Sequence, residues 1–132
     1  MSANILLVED NEQNRYLVTF LLENAGHHVI HCTNGRDAIE LAVRHRPDLI
    51  LMDIQMPEMD GYEAARRLLA NPRLAGVSII AVTSYAMAGD RERALRIGFH
   101  GYIEKPINPD TFVADIDGYL QRKGGSREDP QR

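Results

Sequence analysis

The feature that most constrains the fold is the regular alternation of short apolar segments with segments whose apolar residues recur at helical spacing. The run between Asp48 and Asp53 is continuously apolar, which is typical of a strand covered by helices on both faces. The predicted strands are residues 4–8, 28–32, 48–53, 77–82 and 100–104. Five strands that alternate with helices favour an α/β fold with a doubly wound parallel sheet and helices on both faces.

The helices are predicted from apolar periodicity and from capping and stop residues. The predicted spans are residues 12–25, 35–46, 61–71, 87–97 and 109–121. In the first helix, Leu17, Phe20 and Leu21 have the spacing of a core-facing stripe, and Val18 and Leu22 form a second stripe beside it. We expect the first stripe to face the core, and the second to be either ordinary core or a docking surface for the helix bundle of a kinase or phosphotransferase.

Composition limits the classes of function. The 132 residues correspond to one domain, predicted over residues 1–121, with a disordered polar tail or linker start at 122–132. A formal net charge of −4 argues against direct nucleic-acid binding, and no apolar run is long enough for membrane insertion. Cys32 has no second cysteine to pair with, which favours a cytoplasmic location.

Chemically distinctive residues stand at or just after the carboxyl ends of four of the five predicted strands. They are Glu9 and Asp10, Asp53, Thr83, and Lys105. Because the carboxyl ends of parallel strands meet at one edge of a sheet, we expect these side chains to share a crevice. Clustered carboxylates repel one another unless a hard cation such as Mg²⁺ binds between them. Asp53 would then attack a phosphoryl group whose charge Mg²⁺, Lys105 and Thr83 neutralise.

The motifs around these residues identify a family resemblance. They stand at residues 8–11, 48–53, 56–61, 81–83 and 105–107. Together they resemble the receiver domain of two-component response regulators over residues 4–121. The resemblance implies a flavodoxin-like sheet with strand order 2-1-3-4-5. Residues 54–58 and 85–90 further resemble one single-domain cell-cycle regulator of that family.

The resemblance also implies the chemistry of the site. Asp53 would accept a phosphoryl group from a sensor histidine kinase or a histidine phosphotransferase. Asp10, Asp53 and the backbone carbonyl of Gln55 would bind Mg²⁺, and Glu9 would act mainly through a metal-bound water. Lys105 would pair with the phosphoryl group.

A conformational switch is implied as well. The bond between Lys105 and Pro106 would be cis, which a peptide bond before proline allows. Thr83 would move toward the phosphoryl group, and Tyr102 would swing inward with it. The face formed by the fourth helix, the fifth strand and the last helix would then bind a downstream protein target.

Three alternatives remain open. The chain is the receiver part of a longer regulator or hybrid kinase, a Mg²⁺-dependent phosphohydrolase with an aspartate nucleophile, or a flavodoxin-like nucleotide binder. The second is disfavoured because Gln55 stands where an acid or base would be needed, two positions after Asp53. The carboxylates argue against the third because they repel phosphate. A receiver modifies itself, so we expect a switch rather than a turnover enzyme.

Overall fold

A parallel sheet of five strands organises the residues described by the computed structural model, which are 2–54, 61–84 and 89–128. The strand order is 2-1-3-4-5, and every pairing is parallel. In chain order the elements are β1 Asn4–Val8, α1 Glu12–Asn24, β2 His28–Cys32, α2 Gly35–His45, β3 Leu49–Asp53, α3 Gly61–Leu69, a short 3₁₀ helix Pro72–Leu74, β4 Ser78–Thr83, α4 Asp90–Ile97, β5 Gly101–Glu104 and α5 Phe112–Glu128. The predicted flavodoxin-like architecture is confirmed.

Two apolar cores lie on opposite faces of the sheet because successive strand residues point to opposite sides. Leu6 and Val8 of β1 join the core that α2, α3 and α4 cover, whereas Ile5 and Leu7 join the core under α1 and α5. Every residue of β3 is buried, as its continuously apolar sequence predicts for a central strand. The carboxyl end of β3 therefore opens at the middle of one sheet edge.

The buried face of α1 is the second of the two apolar stripes seen in the sequence, not the first. Val18 and Leu22 are buried, while Leu17 and Leu21 lie partly buried at the border of the core. Phe20 is 55% exposed, so the expectation that it packs on the sheet is wrong. Since α1 packs between the sheet and α5, its buried face centres on the second stripe.

The last helix starts later and ends later than predicted. The backbone carbonyl of Asn108 accepts from the N–H groups of Thr111 and Phe112, and its side chain accepts from the N–H of Asp110. This turn delays the helix until Phe112. At the other end α5 continues to Glu128, past the predicted end at residue 121. The division between domain and tail stays a prediction.

A buried histidine ties three parts of the fold together. The Nδ1 atom of His27 accepts from the backbone N–H of Ala3 at 3.1 Å, so the ring proton lies on Nε2. Nε2 in turn donates to Oδ1 of Asp117 at 3.0 Å. His27 thus joins the turn before β2 to the residue preceding β1 and to α5. No helix in the described ranges combines the length and apolar character that crossing a membrane requires.

Candidate functional site

An open cleft of about 520 Å³ lies at the carboxyl edge of the sheet, where the sequence predicts a crevice. Residues at or just after the carboxyl ends of β1, β3, β4 and β5 contribute to its walls, and the start of α1 closes one side. The lining residues are Glu9, Asp10, Asn11, Asn14, Asp53, Ser84, Lys105 and Pro106. Most of them carry a charge or a hydrogen-bonding group, which makes the cleft suited to a small polar or ionic ligand.

Three carboxylates converge in this cleft and form what we call the acidic cluster: Glu9, Asp10 and Asp53. One oxygen from each lies within 4.8 Å of the other two. Glu9 and Asp53 are buried, whereas Asp10 is exposed at the mouth of the cleft. Oxygen-only donors around a partly solvated space are what Mg²⁺ prefers, because that ion keeps several of its waters. The donor set therefore fits a hard divalent cation.

The ammonium of Lys105 contacts the acidic cluster directly. Its Nζ lies 2.9 Å from Oε1 of Glu9 and 3.1 Å from Oε2 of the same residue. Oδ2 of Asp53 is farther away, at 3.3 Å. The backbone N–H of Lys105 donates to the carbonyl of Thr83, which extends the pairing of β5 with β4. The predicted cis bond between Lys105 and Pro106 is present.

The pKa shifts follow from burial and from these contacts. Burial raises the pKa of Glu9 and the charge of Asp53 adds to the rise, while hydrogen bonds from Lys105 and from the Asn11 N–H oppose it. Burial alone would lower the pKa of Lys105, but its hydrogen bonds and charge interactions with Glu9 and Asp53 outweigh that effect and raise it. The ammonium is therefore charged at neutral pH.

Thr83 and Tyr102, the two predicted switch residues, lie on adjacent strands. Thr83 is fully buried at the end of β4, opposite Glu104 in the pairing register, and the following residue Ser84 lines the cleft. Tyr102 is buried in the core that also contains Phe99. The side chain already points inward in this structure, and the switching roles of both residues stay predictions.

The segment that contains Gln55 lies outside the described residues, so the predicted carbonyl ligand is not placed. The two ends of that segment are nevertheless adjacent. The N–H of Gly61 donates to the carbonyl of Ile54 at 3.4 Å. A Cβ atom on Gly61 would lie 2.4 Å from the Cα of Ile54 and 2.6 Å from the carbonyl oxygen of Asp53. Helix α3 thus begins in close contact with the end of β3.

Two groups that support the acidic cluster were not singled out from the sequence. The backbone N–H of Asn11 donates to Oε2 of Glu9 at 3.1 Å. The guanidinium of Arg15 donates to the backbone carbonyl of Glu9 at 3.0 Å. Arg15 lies one helical turn after the N-cap Asn11, and helical side chains lean toward the N-terminus, so spacing could have placed it near the cluster.

Comparison with known proteins agrees with this geometry. The model of the response regulator receiver domain family matches residues 5–117. The polar-differentiation response regulator DivK of Brucella anthropi is 45% identical over 120 residues, which are 91% of this chain and 98% of that protein. This similarity confirms the narrower resemblance seen in the sequence.

Solved structures of receiver domains are similar too. One is the receiver domain of a sensor histidine kinase from Pseudomonas aeruginosa, described with a magnesium ion in its active-site cleft. It is 39% identical with a TM-score of 0.81, covering 96% of this chain and 100% of that one. Another, from a signal transduction histidine kinase of Syntrophus aciditrophicus, is 34% identical with a TM-score of 0.81 and 90% coverage of both chains. The chain therefore belongs to the response regulator receiver domain family.

Proposed function

We propose that this chain is a cytoplasmic signalling switch in which Asp53 accepts a phosphoryl group from a phosphohistidine. The donor is a sensor histidine kinase or a histidine phosphotransferase. The observation that carries the proposal is the position of the Asp53 carboxylate. It ends the central strand β3, shares a cleft with two further carboxylates, and lies 3.3 Å from the Lys105 ammonium.

The residues of the cleft match the needs of phosphoryl transfer. The bond between phosphorus and the imidazole nitrogen breaks, its electron pair returns to that nitrogen, and an oxygen of Asp53 forms the new bond to phosphorus. Lys105 lies close enough to Asp53 to neutralise a phosphoryl oxygen, and the Thr83 hydroxyl would move to another. Water later attacks phosphorus, which restores the carboxylate and releases inorganic phosphate.

Mg²⁺ is the cofactor we assign to the acidic cluster. Asp10, Asp53 and the backbone carbonyl of Gln55 would hold it, with Glu9 contributing mainly through a bound water. When bound, the ion supplies positive charge to a phosphoryl oxygen and offsets the mutual repulsion of the carboxylates. The magnesium described for the Pseudomonas aeruginosa receiver domain supports this assignment.

The output is binding rather than turnover. Phosphorylation would bias the side-chain positions of Thr83 and Tyr102. Thr83 is the last residue of β4, and Tyr102 lies within the adjacent strand β5. The face formed by α4, β5 and α5 would then bind a downstream protein target, either as a separate regulator or as part of a longer regulator or hybrid kinase. A groove of about 460 Å³ lined by Tyr102, Phe112 and neighbouring residues lies on this face.

Phosphorylation of intact protein by acetyl phosphate with Mg²⁺ tests the proposal. The expected result is a mass gain of one phosphoryl group that requires Mg²⁺ and disappears in Asp53→Asn. Asp110→Asn is the matched control, because Asp110 is an exposed aspartate that does not line the cleft. Modification of the Asp53→Asn protein, or no modification of the unaltered protein, would refute the proposed mechanism.

A further inference from the structure

We propose that the outer edge of β5 binds an extended segment of a partner protein, which adds to the sheet as a further strand, and that Tyr119 covers this edge until the segment displaces it. In the described part of the chain, β5 is the last strand of the sheet. The inference rests on the proposed function, because the edge belongs to the face of α4, β5 and α5 that would bind the downstream target. It states which kind of segment that face takes.

The backbone of β5 directs hydrogen-bonding groups toward its outer edge. The N–H of Lys105, directly after the strand, donates to the carbonyl of Thr83 in β4 at 2.8 Å. Since backbone groups alternate in direction along a strand, the N–H and C=O groups of Tyr102 and Glu104 point away from β4. In agreement, the N–H of Tyr102 donates to the hydroxyl of Tyr119 in α5 at 3.4 Å. The outer edge of β5 therefore carries the donors and acceptors that a further strand would pair with.

The Tyr119 side chain lies across this edge. A Cβ atom on Gly101 would lie 2.5 Å from the Cζ atom of Tyr119, so the ring fits against the strand because residue 101 is a glycine. The guanidinium of Arg122 packs over the same ring, 4.8 Å from its centroid. The hydrogen bond from the Tyr102 N–H, at 3.4 Å, is longer than the usual N–H···O distance of about 2.9–3.0 Å. Such a weak bond can be exchanged for one to a carbonyl of the partner.

The groove beside β5 suits an extended chain better than a helix. Its volume is about 460 Å³, and three consecutive strand residues line it, which are Tyr102, Ile103 and Glu104. Most of the lining side chains carry a polar or charged group, whereas an amphipathic helix needs a mainly apolar groove. Residues 102 and 104 are about 6.6 Å apart along the strand, which is the two-residue repeat of an extended partner. A helix cannot pair with them, because its own backbone groups are bonded internally.

The charges of the groove indicate the side chains of the segment. Glu104 and Asp115 contribute two exposed carboxylates, and Arg91 contributes one guanidinium. An excess of negative charge favours a partner with lysine or arginine. We therefore expect a segment with β-branched residues, which favour strands, and with at least one basic residue.

Binding of a strand-length peptide of alternating valine and lysine to the intact, unphosphorylated protein tests the proposal by NMR. The amide signals of Tyr102 and Glu104 should shift on titration. Y119F removes the hydroxyl that accepts from the Tyr102 N–H, and it should bind the peptide about fivefold more tightly, as the loss of one competing hydrogen bond predicts. Y119A also removes the ring and should bind at least about tenfold more tightly. Y16F is the matched control, because Tyr16 is an exposed tyrosine of α1 that does not line the groove, and its affinity should be unchanged.

Two further measurements separate backbone pairing from attraction between charges. The same peptide methylated at every backbone nitrogen keeps its side chains and charge but cannot donate backbone hydrogen bonds, so it should bind at least about tenfold more weakly. Hydrogen exchange of the Tyr102 amide should be about fivefold faster in Y119F than in the unaltered protein. Equal exchange rates in these two proteins would contradict the covering role of Tyr119.

Several results would overturn the proposal. They are equal binding of the methylated and unmethylated peptides, signal shifts centred outside β5, and no binding by the unaltered protein, Y119F or Y119A. Self-association of Y119A through β5 would assign the edge to a second copy of this chain and would also overturn it. All of these measurements use unphosphorylated protein, so failure of Asp53 phosphorylation remains distinguishable from failure of this inference.

Discussion

Replacement of Gly61 by alanine tests how tightly α3 is joined to the strand that ends in Asp53. The added Cβ would lie 2.4 Å from the Cα of Ile54 and 2.6 Å from the carbonyl oxygen of Asp53. Both atoms belong to the backbone, so no side-chain rotation can relieve the contact. Gly61 does not adopt a positive φ angle, so alanine can adopt its backbone conformation. Any loss of stability would therefore come from steric overlap.

The cost should lie at the upper end of the range for over-packed sites, at about 3 kcal/mol. The free energy of unfolding of a typical domain is about 5–15 kcal/mol, so a loss of this size is a large part of the total stability. Urea unfolding monitored by circular dichroism should show a lower midpoint with an unchanged m-value. The melting temperature should fall by about 10 °C.

Gly118→Ala is the matched control because an added Cβ at this helical position meets no atom within 4 Å. Alanine is a better helix former than glycine, so the free energy of unfolding of this variant should rise by about 0.5–1 kcal/mol. A loss below about 1 kcal/mol in Gly61→Ala, with Gly118→Ala behaving as expected, would refute the reasoning. It would mean that α3 can move away from β3 at little cost.

Two further predictions concern buried polar groups. Burial raises the pKa of the Cys32 thiol from 9.0 to about 11, so at pH 8 native protein should react with iodoacetamide about 100-fold more slowly than urea-unfolded protein. Because the pKa of this thiol is higher in the folded than in the unfolded protein, its contribution to stability is present below pH 9 and is lost as the pH rises toward 11. The difference in unfolding free energy between the unaltered protein and Cys32→Ala should therefore shrink between pH 9 and pH 11. A constant difference would contradict this expectation. His27→Ala leaves the Ala3 N–H without its acceptor and should cost about 2–3 kcal/mol in urea unfolding, whereas exposed His45→Ala should change stability by less than about 0.5 kcal/mol. Equal effects of the two histidine variants would remove His27 from its structural role.

The strands were predictable because their signals are local, and the acidic cluster was predictable because its residues stand at the ends of those strands. A short, continuously apolar run such as the one before Asp53 is typical of a central strand, and the residue at the end of each strand is placed by topology. Knowing the strand order was therefore enough to bring Glu9, Asp10, Asp53 and Lys105 into one cleft, and the structure places them there.

Other features depended on interactions that sequence spacing does not encode. Two apolar stripes on α1 were both compatible with helical periodicity, and the rotation that exposes Phe20 is decided by packing against α5. The start of α5 depends on a turn that Asn108 closes. The contact of the Lys105 ammonium with both Glu9 and Asp53 depends on side-chain conformation, which sequence spacing does not give.

The distances along the chain between the cleft residues have a consequence for synthesis. Lys105 is separated from Glu9 by 96 residues and from Asp53 by 52. A ribosome produces the carboxylates first and the ammonium last. A nascent chain that has folded β1 and β3 but not yet released β5 lacks the lysine of the cleft. In such a chain Glu9 and Asp53 would face each other without the ammonium that contacts both of them in the finished fold.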